Sequence, residues 1–235
     1  MKKRFRFMCA IFALALCAAA LQGGGIVTVR PIQVCDNAGA NCANNAMTLF
    51  EAETDKIWAQ AGIDISFLPW RTLNSTADLV LGVGGVNALF TGANKQADAN
   101  ALVISMWFVT SINDCGGMGP AFGCATISGN RIAIDNDVFT FNAGVGRLDT
   151  IAHEIGHSLG LDHAGTADFL MRGAGRTIPG AIGDINPDGA KLDKLSNAER
   201  ATAMGDLKVV VTPEPASALF VLAGAGMLWL RRRCA

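Results

Sequence analysis

Tyrosine is absent from the 235 residues, and histidine occurs only three times. Without tyrosine, no phenolic hydroxyl can act as a donor in any site the chain builds. Charge is sparse and balanced: 19 Lys and Arg stand against 20 Asp and Glu, a formal net charge of -1. No basic field marks nucleic acid as a partner. Paired cysteines at C-x2-C spacing are missing, which excludes a four-cysteine zinc site. Internal repeats are missing too. The scarcity of histidine is informative in another way, because all three fall between His153 and His163. Histidine here serves a site and not general packing.

The apolar fraction of 51% is inflated by the two ends. Lys2 to Arg6 is basic, Phe7 to Leu21 is apolar, and small residues follow at Ala18 and Ala20. Residues 1–20 therefore read as a secretory signal peptide, with an uncleaved N-terminal anchor as the other reading. At the far end, Ala216 to Leu230 is apolar and Arg231-Arg232-Arg233 follows, which places the upstream chain outside the cytoplasm. Pro213-Glu214-Pro215 stands just before that stretch. The three-part tail over 212–235 resembles a PEP-CTERM sorting signal. That resemblance implies an exosortase-type processing enzyme as partner, transient membrane anchoring at the C-terminus, and export in a Gram-negative bacterium. An ordinary C-terminal anchor is the alternative.

Cys9, Cys17 and Cys234 belong to the end segments. The other four make local pairs, Cys35 with Cys42 and Cys115 with Cys124, separated by turn-forming Gly, Asn and Pro. In an oxidising compartment these predict two disulfides.

Between the ends, Ile26 to Val34 alternates β-branched residues and reads as a strand. Ala46 to Ala61 has the apolar spacing of an amphipathic helix stopped at Gly62. Ile63 to Trp70 alternates again, and Asp78 to Val83 is a short strand candidate. Residues 82–100 are rich in Gly, Asn and Ala and read as a surface loop. Ala101 to Val109 is continuously apolar, as suits a strand buried on both faces. Ala125 to Ser128 and Arg131 to Ile134 flank Gly129-Asn130 as a hairpin or edge strand with its neighbour. A helix runs from about Gly146 to Leu159, and Ser196 to Glu199 has the spacing of a capping box opening a last helix. This order predicts an α+β fold: a mixed, mostly parallel sheet with helices packed on it, in one domain over 24–208.

His153-Glu154-Ile155-Gly156-His157 places two imidazoles four residues apart, on one face of a helix. Gly160 can end that helix in the left-handed conformation, so that His163 swings back as a third ligand. Three neutral imidazoles leave a fourth position of Zn2+ for water, the arrangement of a catalytic site. Glu154 adjoins the first ligand and can serve as the base without binding the metal. A core helix whose histidines merely hydrogen-bond has no use for three imidazoles at ligand spacing around a glutamate.

His153 to His163 spells H-E-x-x-H-x-x-G-x-x-H, and Leu170-Met171 follows eight residues on. The pattern resembles the metzincin clan of zinc peptidases, and its matrixin branch in Ser158 to His163. The resemblance implies a zincin-like fold whose mostly parallel twisted sheet has an antiparallel edge strand, an active-site helix and a C-terminal helix. It implies zinc ligands at His153, His157 and His163, catalysis by Glu154, and Met171 in the hydrophobic floor. It also implies a polypeptide substrate that pairs with the edge strand near 125–134. Three departures stand out. Arg172-Gly173 replaces a proline after Met171, a tyrosine oxyanion donor of the astacin kind is excluded, and no propeptide with a zinc-blocking cysteine precedes the first strand.

Asp184, Asn186 and Asp188 read D-x-N-x-D-G with Gly189, the opening half of a calcium loop, yet Leu195 stands where the closing glutamate belongs. The choice is between a Ca2+ site and a solvated turn. Two other functions compete with a secreted endopeptidase: a non-catalytic, zinc-stabilised extracellular matrix protein, and a metallohydrolase of a non-peptide amide.

Overall fold

A computed structural model describes residues 24–212. The signal read at 1–20 and the tail from 213 onward lie outside the described residues, as do Cys9, Cys17 and Cys234. Among the described residues no helix is long and apolar enough to cross a membrane.

The central sheet is built on β1 (Gly25–Cys35), which pairs in parallel with β5 (Ile104–Val109) along one edge. Its other edge carries β2 (Ile63–Phe67) and then β3 (Arg71–Asn74), the latter parallel in the register Ile32 to Arg71. Beyond β5 come β8 (Arg131–Asp135), also parallel, and finally β7 (Gly123–Ala125). β7 runs antiparallel to β8, with Cys124 opposite Ala133. The order is thus β2-β1-β5-β8-β7, a mostly parallel sheet with one antiparallel edge strand. A separate parallel pair joins β4 (Val80–Leu81) to β6 (Ser111–Ile112).

Side-chain alternation divides the core between the two faces. Val27, Val29, Ile104, Met106, Phe108, Ile132 and Ile134 point to one face, where α1 (Glu51–Trp58) and α4 (Thr150–Ser158) pack through Ile57, Trp58, Ile151 and Ile155. Ile32, Val34, Trp107, Val109 and Ala133 point to the other, beneath α2 (Gly85–Thr91) with Leu89 and Phe90. β5 lies mid-sheet with all six residues buried, which explains its unbroken apolar run. Burying a large aliphatic or aromatic side chain contributes roughly 1.5–3 kcal/mol, so these two layers supply the main driving force that sets strand order. Both disulfides form, Cys35–Cys42 at the end of β1 and Cys115–Cys124 tying the β6–β7 connection to the edge strand.

Several elements differ from the sequence expectations. The first helix begins at Glu51, not Ala46. Met47 and Phe50 adopt left-handed backbones, and Asn44 brackets Thr48 by accepting from its N–H (3.0 Å) and donating to its carbonyl (2.8 Å). The strand after Gly62 stops at Phe67, short of Pro69. The segment read as a loop at 82–100 contains α2, whose Val86, Leu89 and Phe90 are buried at helical spacing. The helix expected from Gly146 starts only at Thr150, because Gly146 is left-handed (φ 90°) and Arg147 N–H turns back to the Val138 carbonyl (2.7 Å). A kinked helix α3 (Asp137–Gly144) precedes it and was not legible from periodicity. The last helix, α5 (Asn197–Met204), opens on a complete capping box: Ser196 Oγ accepts from Glu199 N–H (3.2 Å), and Glu199 Oε2 accepts from Ser196 N–H (2.6 Å).

Candidate metal centre

Every residue of α4 is buried, because the helix lies against β7, β8 and α1. Its end is a hydrogen-bonded turn. Leu161 N–H reaches back to the Gly156 carbonyl (3.0 Å) and Gly160 N–H to the His157 carbonyl (3.0 Å), with Gly160 at φ 85°. That pattern requires a left-handed residue after the helix, which glycine adopts without steric cost. The chain then reverses and delivers His163 to the two helical histidines.

The result is a convergent donor set. His163 Nε2 lies 3.3 Å from His153 Nε2 and 3.2 Å from His157 Nε2. Among the described residues these three form the one cluster of at least three His, Cys, Asp or Glu with metal-ligating reach, their ligand atoms all within 4.8 Å of one another. The opposite ring edges are fixed. His153 Nδ1 donates to the Leu170 carbonyl (2.7 Å) and His157 Nδ1 to the Leu161 carbonyl (2.8 Å). With the proton on Nδ1, each Nε2 presents its lone pair inward. Burial, then the charge of Arg176, holds His153 well below the usual imidazole range, and burial also lowers His157. Both rings are neutral near pH 7, the form that binds metal. Three imidazoles, two of them oriented from behind and the third at the surface, fit Zn2+.

Glu154 is 5% exposed and its carboxyl is raised to about 8 by burial, against the opposing pull of Arg176 and Arg147. It lies against the edge strand. A Cβ on Gly123 would stand 2.5 Å from Glu154 Cγ and 2.6 Å from Oε1, so only glycine lets β7 pass this close. Met171 is fully buried beneath the helix, where a Cβ on Gly156 would stand 2.5 Å from its sulfur. The chain holding Met171 is tied at both sides: its carbonyl accepts from Ala164 N–H (2.9 Å), and Leu170 N–H donates to the Lys194 carbonyl (3.0 Å). Gly173 backs onto the His163 ring, its would-be Cβ 3.0 Å from Nδ1, so a larger residue there would press on the third histidine.

Beside this centre stands a charged cluster that the motifs did not reveal. Arg176 Nε donates to Asp149 Oδ2 at 2.5 Å, with the two side chains 3% and 0% exposed. Arg176 Nη1 also donates to the Leu170 carbonyl (2.8 Å), the acceptor used by His153, so the guanidinium lies against the back edge of that ring. Arg147 stands 3.6 Å from Asp149 Oδ1. Asp193 is fully buried nearby, raised to about 8 by burial and then by the charge of Asp149. A lone Asp, or an Arg more than twenty residues from the first histidine, carries no spacing signal, so nothing in the sequence singled them out.

The residues read as a calcium loop each have protein partners of their own. Asp184 Oδ2 accepts from Gly180 N–H (3.0 Å) and Ala181 N–H (3.1 Å), Asn186 donates to Gln60 (2.7 Å), and Asp188 pairs with Lys56 (2.9 Å). The Lys56 ammonium sits where a cation would meet Asp188.

A cleft of about 510 Å³ opens over the histidines, walled on one side by Phe122 to Ala125 and on the other by Gly173 and Ala174. Its floor is α4. Residues 72–164, from the second residue of β3 to one residue past His163, match the family described as "Metallo-peptidase family M12B Reprolysin-like". The segment that carries the histidines is metallopeptidase-like. Among solved structures, archaemetzincin from Methanopyrus kandleri is similar at a TM-score of 0.49 and 11% identity, over 77% of this chain and 96% of that one. Archaemetzincin from Archaeoglobus fulgidus, solved with malonate, is similar at 0.38 and 16%, over 75% and 99%. Metalloproteinase-II from Bacteroides fragilis is similar at 0.45 and 13%, over 80% and 54%. No curated protein sequence matches the chain.

Proposed function

We propose that the chain is a secreted, matrixin-like zinc endopeptidase that hydrolyses polypeptides in the cleft over α4. The observation that carries this reading is the convergence of three Nε2 atoms next to a buried carboxyl packed against an edge strand. His153, His157 and His163 would hold the ion. Bound zinc supplies Lewis acidity toward a water and the substrate carbonyl.

The chain's own groups do the rest. An extended peptide adds to β7, whose neighbour in the sheet lies only on the far side, and main-chain hydrogen bonds fix its register. Beside the charge of an ion held by the three histidines, the Glu154 carboxyl is drawn back to its ionised form. In that form Glu154 takes a proton from the attacking water as oxygen adds to the carbonyl carbon. It returns that proton to the amine nitrogen as the C–N bond breaks. Met171 and Leu170 keep the ligand loop in place from below.

Export is supported by the N-terminal signal pattern and by two disulfides in the described region. The PEP-CTERM-like tail suits sorting by an exosortase-type enzyme after transient anchoring in the inner membrane.

The test is Glu154→Gln in the full chain. The variant keeps one zinc per chain by metal analysis and loses peptide cleavage by about a thousandfold, within the 10²–10⁴ that positioned acid–base help usually supplies. Unchanged cleavage would sink the assignment of Glu154. Zinc binding with no cleavage by the wild-type chain of any peptide favours the matrix-protein reading, and hydrolysis of small non-peptide amides alone favours the other metallohydrolase.

A further inference from the structure

The guanidinium of Arg147 is mostly buried, at 18% side-chain exposure, and none of its N–H groups has a hydrogen-bond acceptor among the described residues. Its Nε is wholly enclosed without a partner. Asp149 turns one oxygen, Oδ2, to Arg176 at 2.5 Å and the other, Oδ1, toward Arg147 Nε at 3.6 Å, where neither atom closes a hydrogen bond. Two guanidiniums therefore share Asp149, with Glu154 as the other carboxyl close to both. The enclosed Nε faces only Asp149, while the two Nη groups, which are not enclosed and have no acceptor among the described residues, are open to a ligand.

The position of Arg147 says where that ligand comes from. The residue lines the cleft together with Glu154 and Phe122. Its guanidinium carbon sits 4.6 Å over the Phe122 ring and 5.9 Å from Phe141, and these two rings meet edge-on at 5.5 Å. Stacking on Phe122 fixes the plane of the fork, while the backbone bond from Arg147 to Val138 fixes its base. Phe122 immediately precedes β7, the strand proposed to pair with substrate. A planar guanidinium stacked on Phe122, its outer N–H groups without a protein acceptor among the described residues, is suited beside the strand and the base to a carboxylate, which it can take with two parallel hydrogen bonds.

We propose that Arg147 is the specificity-determining residue of the cleft and selects peptides with an aspartate or glutamate side chain next to the scissile bond. The proposal rests on the peptidase reading above. A carboxylate could also come from a substrate's free C-terminus, so the probes are C-terminally amidated.

The experiment compares amidated peptides that differ only by Asp for Asn, or Glu for Gln, at positions flanking the cut, with the zinc-loaded full chain. At one position the acidic peptide has a kcat/KM at least about tenfold higher, the scale of one hydrogen bond to a charged group. In Arg147→Gln that ratio falls to about one, and in Arg147→Lys part of it survives because the charge remains without the fork. Equal rates for acid and amide with the wild-type chain overturn the proposal and leave the peptidase intact. A preference seen only with free C-termini overturns the side-chain assignment. If no peptide is cleaved, the peptidase reading fails instead, and the same peptide pairs are measured by calorimetry on zinc-loaded Glu154→Gln. Equal affinities there overturn Arg147 independently, and a tenfold difference supports it.

Discussion

Replacing Arg176 by Met tests whether the buried pair with Asp149 holds the site together. Arg176 and Asp149 are 3% and 0% exposed, and their bond is 2.5 Å. Methionine fills much of the same volume but leaves Asp149 facing only the longer contact to Arg147 at 3.6 Å. Breaking a buried pair by removing one partner typically costs about 3–5 kcal/mol. For a domain of this size each kcal/mol lowers Tm by roughly 2–4 °C, so the expected fall is about 6–20 °C. Urea denaturation in the presence of a chelator, which removes any contribution of bound zinc, gives the free energy directly. The double variant Arg176→Met with Asp149→Leu should lose clearly less than the sum of the two single changes, because each change removes the charge the other leaves alone. The loss of Asp149 beside Arg147 is common to the double variant and Asp149→Leu and cancels. A loss below about 1 kcal/mol for Arg176→Met, against the usual range for buried pairs, or strict additivity in the double variant, would refute the reasoning.

Two smaller tests address the rest of the scaffold. Asp193 has a folded value raised to about 8 from 3.8, so the folded state holds its proton more tightly than the unfolded chain. Stability therefore falls as pH rises from about 4 toward 8. Asp193→Asn, which suits the left-handed backbone there (φ 52°), should remove part of that slope in urea midpoints taken at pH 5 and pH 8; an unchanged slope would show the group titrates normally. Ser196→Ala removes one half of the capping box of α5 and should cost about 1 kcal/mol by the same method, with Ser196→Asp recovering most of it.

What could be read in advance depended on the range of the interactions. Alternation exposed β1, and continuous burial exposed β5, because each strand's environment is written on its own residues. The capping box of α5 was legible for the same reason, since Ser196 and Glu199 satisfy each other. α2 was missed although Val86, Leu89 and Phe90 carry a helical period, because glycine and asparagine around them gave a competing loop signal. The start of α1 was misplaced by a distant partner: Phe50 leaves the helical backbone and stacks on Phe139 at 5.7 Å. The calcium pattern had the right residue types, but Gln60 and Lys56, more than a hundred residues away, claimed two of its side chains.

The metal centre divides along the same line. By itself the sequence determined the three histidines, the glutamate beside the first, and the turn at Gly160, because a helix of 3.6 residues per turn and one left-handed residue bring them together within eleven positions. Only the tertiary structure decided what surrounds them: Gly123 against Glu154, Met171 under Gly156, Arg176 behind His153, and Arg147 stacked on Phe122. These contacts join residues 15 to 31 positions apart or lying on different elements, and their closeness follows from the order of strands around β5 and β8 and from packing of α4 on that sheet. Local periodicity can specify ligands on one helix. It carries no information about which loop the finished core will press against them.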